Sequence, residues 1–215
     1  MGLFSAIFVS DKEEIYLSHY YTNDDTPHAY QRITHNFRGK NYVFKTDRGV
    51  FSKDAVDYGS NVLIETVLDT VDEPSDFIDM GSGYGAISVI LADQFKTKPL
   101  MVDVNRDAMD VSLENLDMNQ IAGTVMEREK YDSMDVKTDL YITNPPFRVG
   151  KKIVMEILSD GFNRLNEDGS FYMVVQKKQG MPSYKKELER LFGNVEIARK
   201  DKGYYILKAV KENGI

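Results

Sequence analysis

Cysteine is absent from the 215 residues, which removes disulfides, thiolate nucleophiles and Cys-based zinc sites together and fits a reducing cytoplasm. Histidine is scarce: the three present, His19, His28 and His35, lack the i, i+4 spacing that sets two imidazoles on one metal, so no metal role is expected of them. No run approaches the roughly 18 apolar residues that a bilayer span requires. The first ten residues have neither a basic n-region nor a small-residue cleavage site, and Ala6 stands where a myristoylation start needs Ser or Thr. Neither secretion nor a lipid anchor is expected, and the expected compartment is the cytoplasm. Basic charge is in deficit, with 27 Lys and Arg against 34 Asp and Glu and a net charge of -7, which argues against an all-over electrostatic grip on nucleic acid. A local patch stays open, because residues 30–60 hold six basic side chains (Arg32, Arg38, Lys40, Lys45, Arg48, Lys53) against three acidic ones (Asp47, Asp54, Asp57).

What is present reads as one domain of roughly 150 to 190 residues behind an N-terminal extension. The early residues carry no sustained period, and Thr22-Asn23-Asp24-Asp25-Thr26-Pro27 reads as a loop or mobile arm, so 1–36 are expected to be a partly mobile extension and 37–215 the domain. The runs Tyr42-Val43-Phe44 and Val50-Phe51 flank Thr46-Asp47-Arg48-Gly49, which predicts a β-hairpin within 37–56. Ile64, Val67, Leu68 and Val71 then recur at helical spacing. From Asp76 onward short apolar runs (Phe77 to Met80, Leu100 to Val104, Leu140 to Thr143, Phe171 to Gln176, Tyr204 to Ala209) alternate with helical patterns at Ile87-Ile90-Leu91, Met109-Leu113-Leu116 and Val154-Leu158-Leu165. That alternation predicts an α/β fold of stacked βαβ units around a mostly parallel sheet.

Asp79-Met80-Gly81-Ser82-Gly83-Tyr84-Gly85-Ala86 falls where the first of these strands meets its helix, the place at which open α/β sheets bind ligands. Gly81, Gly83 and Ala86 also satisfy the dinucleotide fingerprint, and a plain structural turn is a third reading. Gly85, and a carboxylate at Asp79 two residues before the first glycine, favour S-adenosylmethionine: the carboxylate repels a pyrophosphate but suits an ammonium and a sulfonium. Asp103 ends the second strand about twenty residues after Gly81, the distance at which an acid reaches ribose hydroxyls. It supports nucleoside binding without choosing between cofactors, and an exposed loop acid is its bland alternative.

Asn144-Pro145-Pro146-Phe147 follows the strand ending at Thr143, on the same rim as Gly81 and Asp103. A proline-rich turn is the plain reading. The chemical one is sharper. An exocyclic amine of a base is planar and a poor nucleophile, and two acceptors aimed at its N–H bonds favour the charge that develops as nitrogen becomes tetrahedral. The Asn144 side-chain oxygen and the Pro145 carbonyl suit that task, and Phe147 offers a face for a planar base. Arg148, Lys151, Lys152, Lys177 and Lys178 near the same edge, joined to the basic excess of residues 30–60, are expected to form one positive rim for RNA phosphates. Solvated loop lysines are the alternative.

With these motifs the chain resembles the class I methyltransferases of the NPPF type, most closely the small-subunit ribosomal RNA guanine-N2 methyltransferase C family. The likeness runs from about Phe37 to Val210 through Phe44 to Ser52, Asp57-Tyr58-Gly59-Ser60, the glycine turn, Asn144 to Phe147, and Lys177-Lys178-Gln179-Gly180. It implies a Rossmann-like, seven-stranded, mostly parallel sheet with helices on both faces and an antiparallel last strand. It also implies S-adenosylmethionine held by Asp79, Gly81, Ser82, Gly83, Gly85, Asp103 and Asn144, with Asn144, Pro145 and Phe147 catalytic. The implied acceptor is the N2 amine of a guanine in ribosomal RNA, free or in the ribosomal subunit, with Arg148, Lys177 and Lys178 on the RNA. Neighbours with Asn-Pro-Pro-Tyr act on adenine or protein glutamine, and Phe147 leans toward guanine. Another amine or amide acceptor, a small molecule, and a non-catalytic RNA-binding module are the competing readings; the intact Asn144 and glycine turn speak against the last.

Overall fold

The computed structural model describes residues 30–47, 56–72 and 74–212. Two antiparallel strands, β1 (Tyr30–Phe37) and β2 (Lys40–Asp47), precede a seven-stranded sheet. Its elements are α1 (Tyr58–Thr70), β3 (Asp76–Met80), α2 (Ala86–Phe95), β4 (Lys98–Asp103), α3 (Arg106–Met118), β5 (Thr124–Glu127), α4 (Arg128–Asp132), β6 (Thr138–Thr143), α5 (Lys151–Arg164), β7 (Leu165–Gln176), α6 (Met181–Phe192), β8 (Glu196–Asp201) and β9 (Tyr204–Val210). The sheet order is β5-β4-β3-β6-β7-β9-β8, parallel except for β9, which runs antiparallel to both of its neighbours. The expected mostly parallel sheet with an antiparallel last strand is this one.

The strand sequences explain why the sheet is covered on both sides. Successive side chains of a strand point to opposite faces. Phe77, Leu140, Ile142, Tyr172 and Val174 join one buried cluster with α1, α2, α3 and the hairpin. Ile78, Tyr141, Phe171, Met173 and Val175 join a second cluster with α4, α5 and α6. A strand with both faces apolar is stable only between two layers of helices. Among the described residues no helix is long and apolar enough to cross a membrane.

A hairpin is present, but it is not the expected pair of runs: Tyr42-Val43-Phe44 lies in its second strand and pairs with the preceding strand β1. Its turn is Arg38-Gly39, both at positive φ (48° and 81°) as a two-residue primed turn requires, and Tyr42, Val43 and Phe44 pair with His35, Thr34 and Ile33. Thr46 and Asp47 belong to β2, not to the turn, while Arg48 and Gly49 and the expected partner run Val50-Phe51 lie outside the described residues. Strand pairing therefore begins at Tyr30, ahead of the boundary expected at residue 37, and the expected mobile arm, 22–27, lies outside the described residues. The cause is chemical: only Ile33 and Phe37 of β1 are buried, so polar side chains interrupt the alternation that marks a strand.

Among the described residues no third strand pairs with the far edge of β2; α3 serves instead. Asn119 accepts from the Val43 N–H (3.0 Å) and donates to its carbonyl (2.7 Å), and Asn115, one turn earlier, does the same for Lys45 (2.7 and 3.0 Å). Asn115 also donates to the Tyr84 carbonyl (2.7 Å), so one buried amide ties the hairpin to the glycine turn.

Candidate active site

The carboxyl ends of β3, β4 and β6 lie side by side, and each carries one of the expected motifs. After β3 the chain turns through Gly81, Gly83 and Gly85, all at positive φ (73°, 55° and 89°), before α2 begins. A side chain at Gly85 would lie 2.6 Å from Met101 Cε and 3.4 Å from Ser112 Cβ, so glycine is required there by both conformation and space. The Gly81 and Ser82 N–H groups donate to the Val102 carbonyl (2.8 and 3.1 Å), which holds the turn against the end of β4.

Asp79 is fully buried. Its Oδ2 accepts from Ser88 Oγ (2.6 Å) in the first turn of α2, whereas among the described residues its Oδ1 has no partner, and neither does the buried Ser82 Oγ. Burial pushes the Asp79 carboxyl up to about 7; the Ser88 hydrogen bonds oppose that rise and the charge of Asp103 adds to it. Buried polar atoms are normally satisfied, so two orphaned acceptors in one glycine turn fit a polar, cationic ligand such as S-adenosylmethionine.

Asp103 does more than the sequence implied. Its Oδ2 accepts from the Gly83 N–H (2.8 Å), and its Oδ1 from the N–H groups of Val104 (2.7 Å) and Asn105 (3.0 Å). The carboxylate is a clasp between the glycine turn and the β4–α3 turn. Oδ2, with one donor, retains a lone pair for a ribose hydroxyl. Asp103→Ala is therefore expected to weaken S-adenosylhomocysteine binding by about 1 to 3 kcal/mol in calorimetry and to lower the melting temperature as well. An unchanged affinity would remove Asp103 from the ligand site, and NAD should not bind to either protein.

The third strand end carries Asn144. Thr143 Oγ1 donates to the Met80 carbonyl (2.7 Å), locking β6 to β3, and Gly81 faces Pro146, whose Cδ lies 3.7 Å from where a Cβ would stand on that glycine. The Asn144 Nδ2 donates to Ser60 Oγ (3.0 Å), which leaves its Oδ1 as the amide's acceptor. Ser60 is buried in the first turn of α1, where its N–H donates to the N-cap Asp57 (3.0 Å). The Pro145 carbonyl, expected to be a second acceptor for the amine, already takes the Phe147 N–H (2.9 Å), so it has one lone pair left for a substrate. Phe147 opens a short 3-10 turn and packs against Tyr184 of α6, ring centroids 5.9 Å apart.

Arg148, Lys177 and Lys178 are exposed at the carboxyl ends of the neighbouring strands β6 and β7, and among the described residues none of them has a carboxylate within ion-pair distance. The expected single positive rim does not extend to the hairpin. Arg38 pairs with Asp69 and Lys40 with Asp93 (both 2.7 Å), in the last turns of α1 and α2, helices whose first turns stand at the site. At about 1.5 Å per residue these pairs lie roughly 10 to 15 Å away from it. Lys45 is paired with Glu114, and Arg48 and Lys53 lie outside the described residues. Three partners were not legible as such: Ser60, Tyr184 and Asn115 earn their roles from residues 84, 37 and 31 positions away. For Ser60 a local sign exists: it stands in the Asp57-Tyr58-Gly59-Ser60 run that carries part of the family resemblance, three residues after Asp57, the spacing of a helix N-cap.

Comparison with known proteins shows the family and the fold. The chain is 38% identical over 201 residues to the uncharacterized protein YbxB of Bacillus subtilis (strain 168), covering 90% of this chain and 98% of that one. It is 29% identical over 172 residues to the ribosomal RNA small subunit methyltransferase C of Erwinia tasmaniensis, covering 78% of this chain but 49% of the relative, so it spans about half of that protein's length. Among solved structures, the T. thermophilus 16S rRNA N2 G1207 methyltransferase, in complex with AdoMet and guanosine, superposes with a TM-score of 0.77 at 24% identity, over 86% of this chain and 52% of that one. A ribosomal protein L11 methylase from Lactobacillus delbrueckii subsp. bulgaricus shares the fold at a TM-score of 0.60 and 20% identity, over 76% and 89% of the two chains. The fold thus hosts RNA and protein acceptors alike. Residues 41–208, from within β2 into β9, match the methyltransferase small domain, and the chain belongs to that family.

Proposed function

We propose that this protein is an S-adenosylmethionine-dependent N-methyltransferase whose acceptor is the exocyclic N2 amine of a guanine in small-subunit ribosomal RNA. The observation that carries the reading is the amide of Asn144, whose nitrogen is bound to Ser60 and whose oxygen is left as an acceptor at the strand end that also carries Phe147 and Pro146, the latter beside Gly81. Asp79, Ser82, the three glycines and Asp103 suit the cofactor, whose sulfonium supplies the methyl group. Asn144 Oδ1 and the remaining lone pair of the Pro145 carbonyl accept from the amine's two N–H bonds. As the amine nitrogen forms its bond to the methyl carbon, the carbon–sulfur bond breaks, the sulfur leaves as a neutral thioether, and the nitrogen sheds one proton. Acceptors fixed before reaction favour that developing positive charge. Phe147, steadied by Tyr184, gives the base a stacking face, and Arg148, Lys177 and Lys178 face its phosphates. The family and the likeness to the small-subunit methyltransferase C relatives support RNA as the acceptor class.

The test is direct: supply methyl-labelled cofactor with small ribosomal subunits or the free RNA, then separate the nucleosides. Label in N2-methylguanosine is expected. Label in an adenosine or in ribosomal protein would replace the acceptor, and cofactor binding without transfer to either substrate would overturn the reading.

A further inference from the structure

The tip of the β8–β9 hairpin stands on the same rim as Asn144. Tyr204 pairs with Gln176, the residue before Lys177 and Lys178, and Asp201 pairs with Tyr204 across the hairpin, so Lys202 and Gly203 cap the strand ends beside the two lysines. Towards Asn144 the tip meets the start of α1. The rings of Tyr58 and Tyr204 are 5.7 Å apart, the Lys202 Nζ sits 4.6 Å above the Tyr58 ring, and the Tyr58 hydroxyl donates to Asp201 Oδ2 (2.6 Å). A Cβ at Gly59 would lie 2.8 Å from the Tyr204 ring, so glycine is what lets the hairpin tip close on the helix start. One residue further, Ser60 holds Asn144.

This arrangement has three features that core packing does not call for. Tyr58 is 37% exposed although it is a large aromatic in the first turn of a helix. Lys177, Lys178 and Lys202 are exposed and, among the described residues, have no ion-pair partner, and with Arg148 they outnumber the carboxylates of Asp57 and Asp201, which accept from the Ser60 N–H and the Tyr58 hydroxyl and keep their charge. This gathers positive charge on one edge of a protein of net charge -7. Finally, Phe147 packs with Tyr184 of α6 in the cluster on one face of the sheet, whereas Tyr58 packs with Tyr204 of the hairpin tip, which joins the cluster on the other face.

We infer that Tyr58, Lys202 and the β8–β9 tip form a second base-stacking station, which takes an unpaired nucleotide of the RNA strand next to the one whose base reaches Asn144. The inference rests on the RNA reading above. An aromatic face accepts any base, and a neighbouring ammonium engages the phosphate, so the station recognises single-stranded RNA without reading its sequence. Its position two residues before the partner of Asn144, at the start of the same helix, makes it a register device: with a flanking base stacked on Tyr58, the target base is held out of its helix at Phe147.

The test uses the full chain, a small-subunit ribosomal RNA transcript for methylation, and a fluorescent single-stranded RNA oligonucleotide with its duplex form for binding. Tyr58→Ala should weaken oligonucleotide binding and raise the KM for RNA roughly five- to hundred-fold, with a much smaller change in kcat and none in S-adenosylhomocysteine affinity. Tyr58→Phe, which keeps the ring and loses the bond to Asp201, should retain most of the affinity. Lys202→Glu, at an exposed tip where folding is not at stake, should also weaken binding, and Lys202→Ala should lower the salt slope by about one. The wild-type protein should prefer the single strand over the duplex. Unchanged binding in Lys202→Glu together with unchanged KM in Tyr58→Ala or, if that variant does not fold, a duplex preference, would overturn the station while guanine methylation stood. A wild-type protein that methylates ribosomal protein and binds no RNA would remove both readings.

Discussion

Asn144→Ala is expected to cut single-turnover methyl transfer by roughly two to three orders of magnitude, the range that follows removal of one preorganised polar group. Cofactor affinity should change far less. The Asn144 amide is partly organised before reaction, because its Nδ2 is already bound to Ser60 (3.0 Å), which leaves its oxygen as the acceptor. The contribution grows as the amine nitrogen acquires positive charge and therefore belongs to the transition state. Ser60→Ala frees the amide to rotate and should give a smaller loss in the same step, with the effect in the rate and not in RNA binding. Phe147→Ala should act partly on substrate capture, and Phe147→Tyr should keep much of the function, as expected of a residue that offers its ring face to a base. Near-normal transfer by a folded Asn144→Ala protein would reduce Asn144 to Phe147 to a strand-capping turn.

The parts of this fold that could be read from the chain are those in which burial is complete on both sides of a strand. β3, β4, β6, β7 and β9 are dense in apolar side chains because helices cover both faces. β5 and β8 escaped notice for the converse reason: both are sheet edges, β5 with Val125 as its one buried residue and β8 with none. Charged side chains along β8 (Arg199, Lys200, Asp201) hide the strand from a hydrophobicity pattern and also discourage edge-to-edge association. α6 did carry a signal in Tyr184, Leu188, Leu191 and Phe192. The site divides along the same line. Glycines in a strand-to-helix turn and an Asn-Pro-Pro-Phe segment are local requirements of chemistry, so they stand in contiguous sequence. Ser60 against Asn144, Asn115 against Tyr84 and Tyr58 against Tyr204 are consequences of chain crossing, and no local pattern announces them.

Asp79→Asn is expected to weaken S-adenosylmethionine binding by at least about 3 kcal/mol at neutral pH, roughly a hundredfold, because it strips the partner from a cation held out of water. The pH dependence gives the sharper check. In the folded protein without ligand the carboxyl is neutral until about 7, where burial has pushed it from an ordinary value of 3.8. A carboxyl raised in this way contributes stability that is complete below its unfolded value and is lost as pH rises through the folded one. Wild-type stability should thus decline relative to Asp79→Asn between about pH 4 and pH 7 and run parallel to it above. Cofactor affinity should move in the opposite sense, rising with pH as Asp79 ionises and releasing a proton on binding near pH 6. It should fall again once the ligand's own α-amino group, with an ordinary value of about 7.7 to 8.0, loses its charge. Calorimetry in buffers of different ionisation enthalpy would count the proton directly. If binding is as tight in Asp79→Asn, or takes up no buffer signal at pH 6, the orphaned Oδ1 faces something other than the ammonium or sulfonium of the methyl donor.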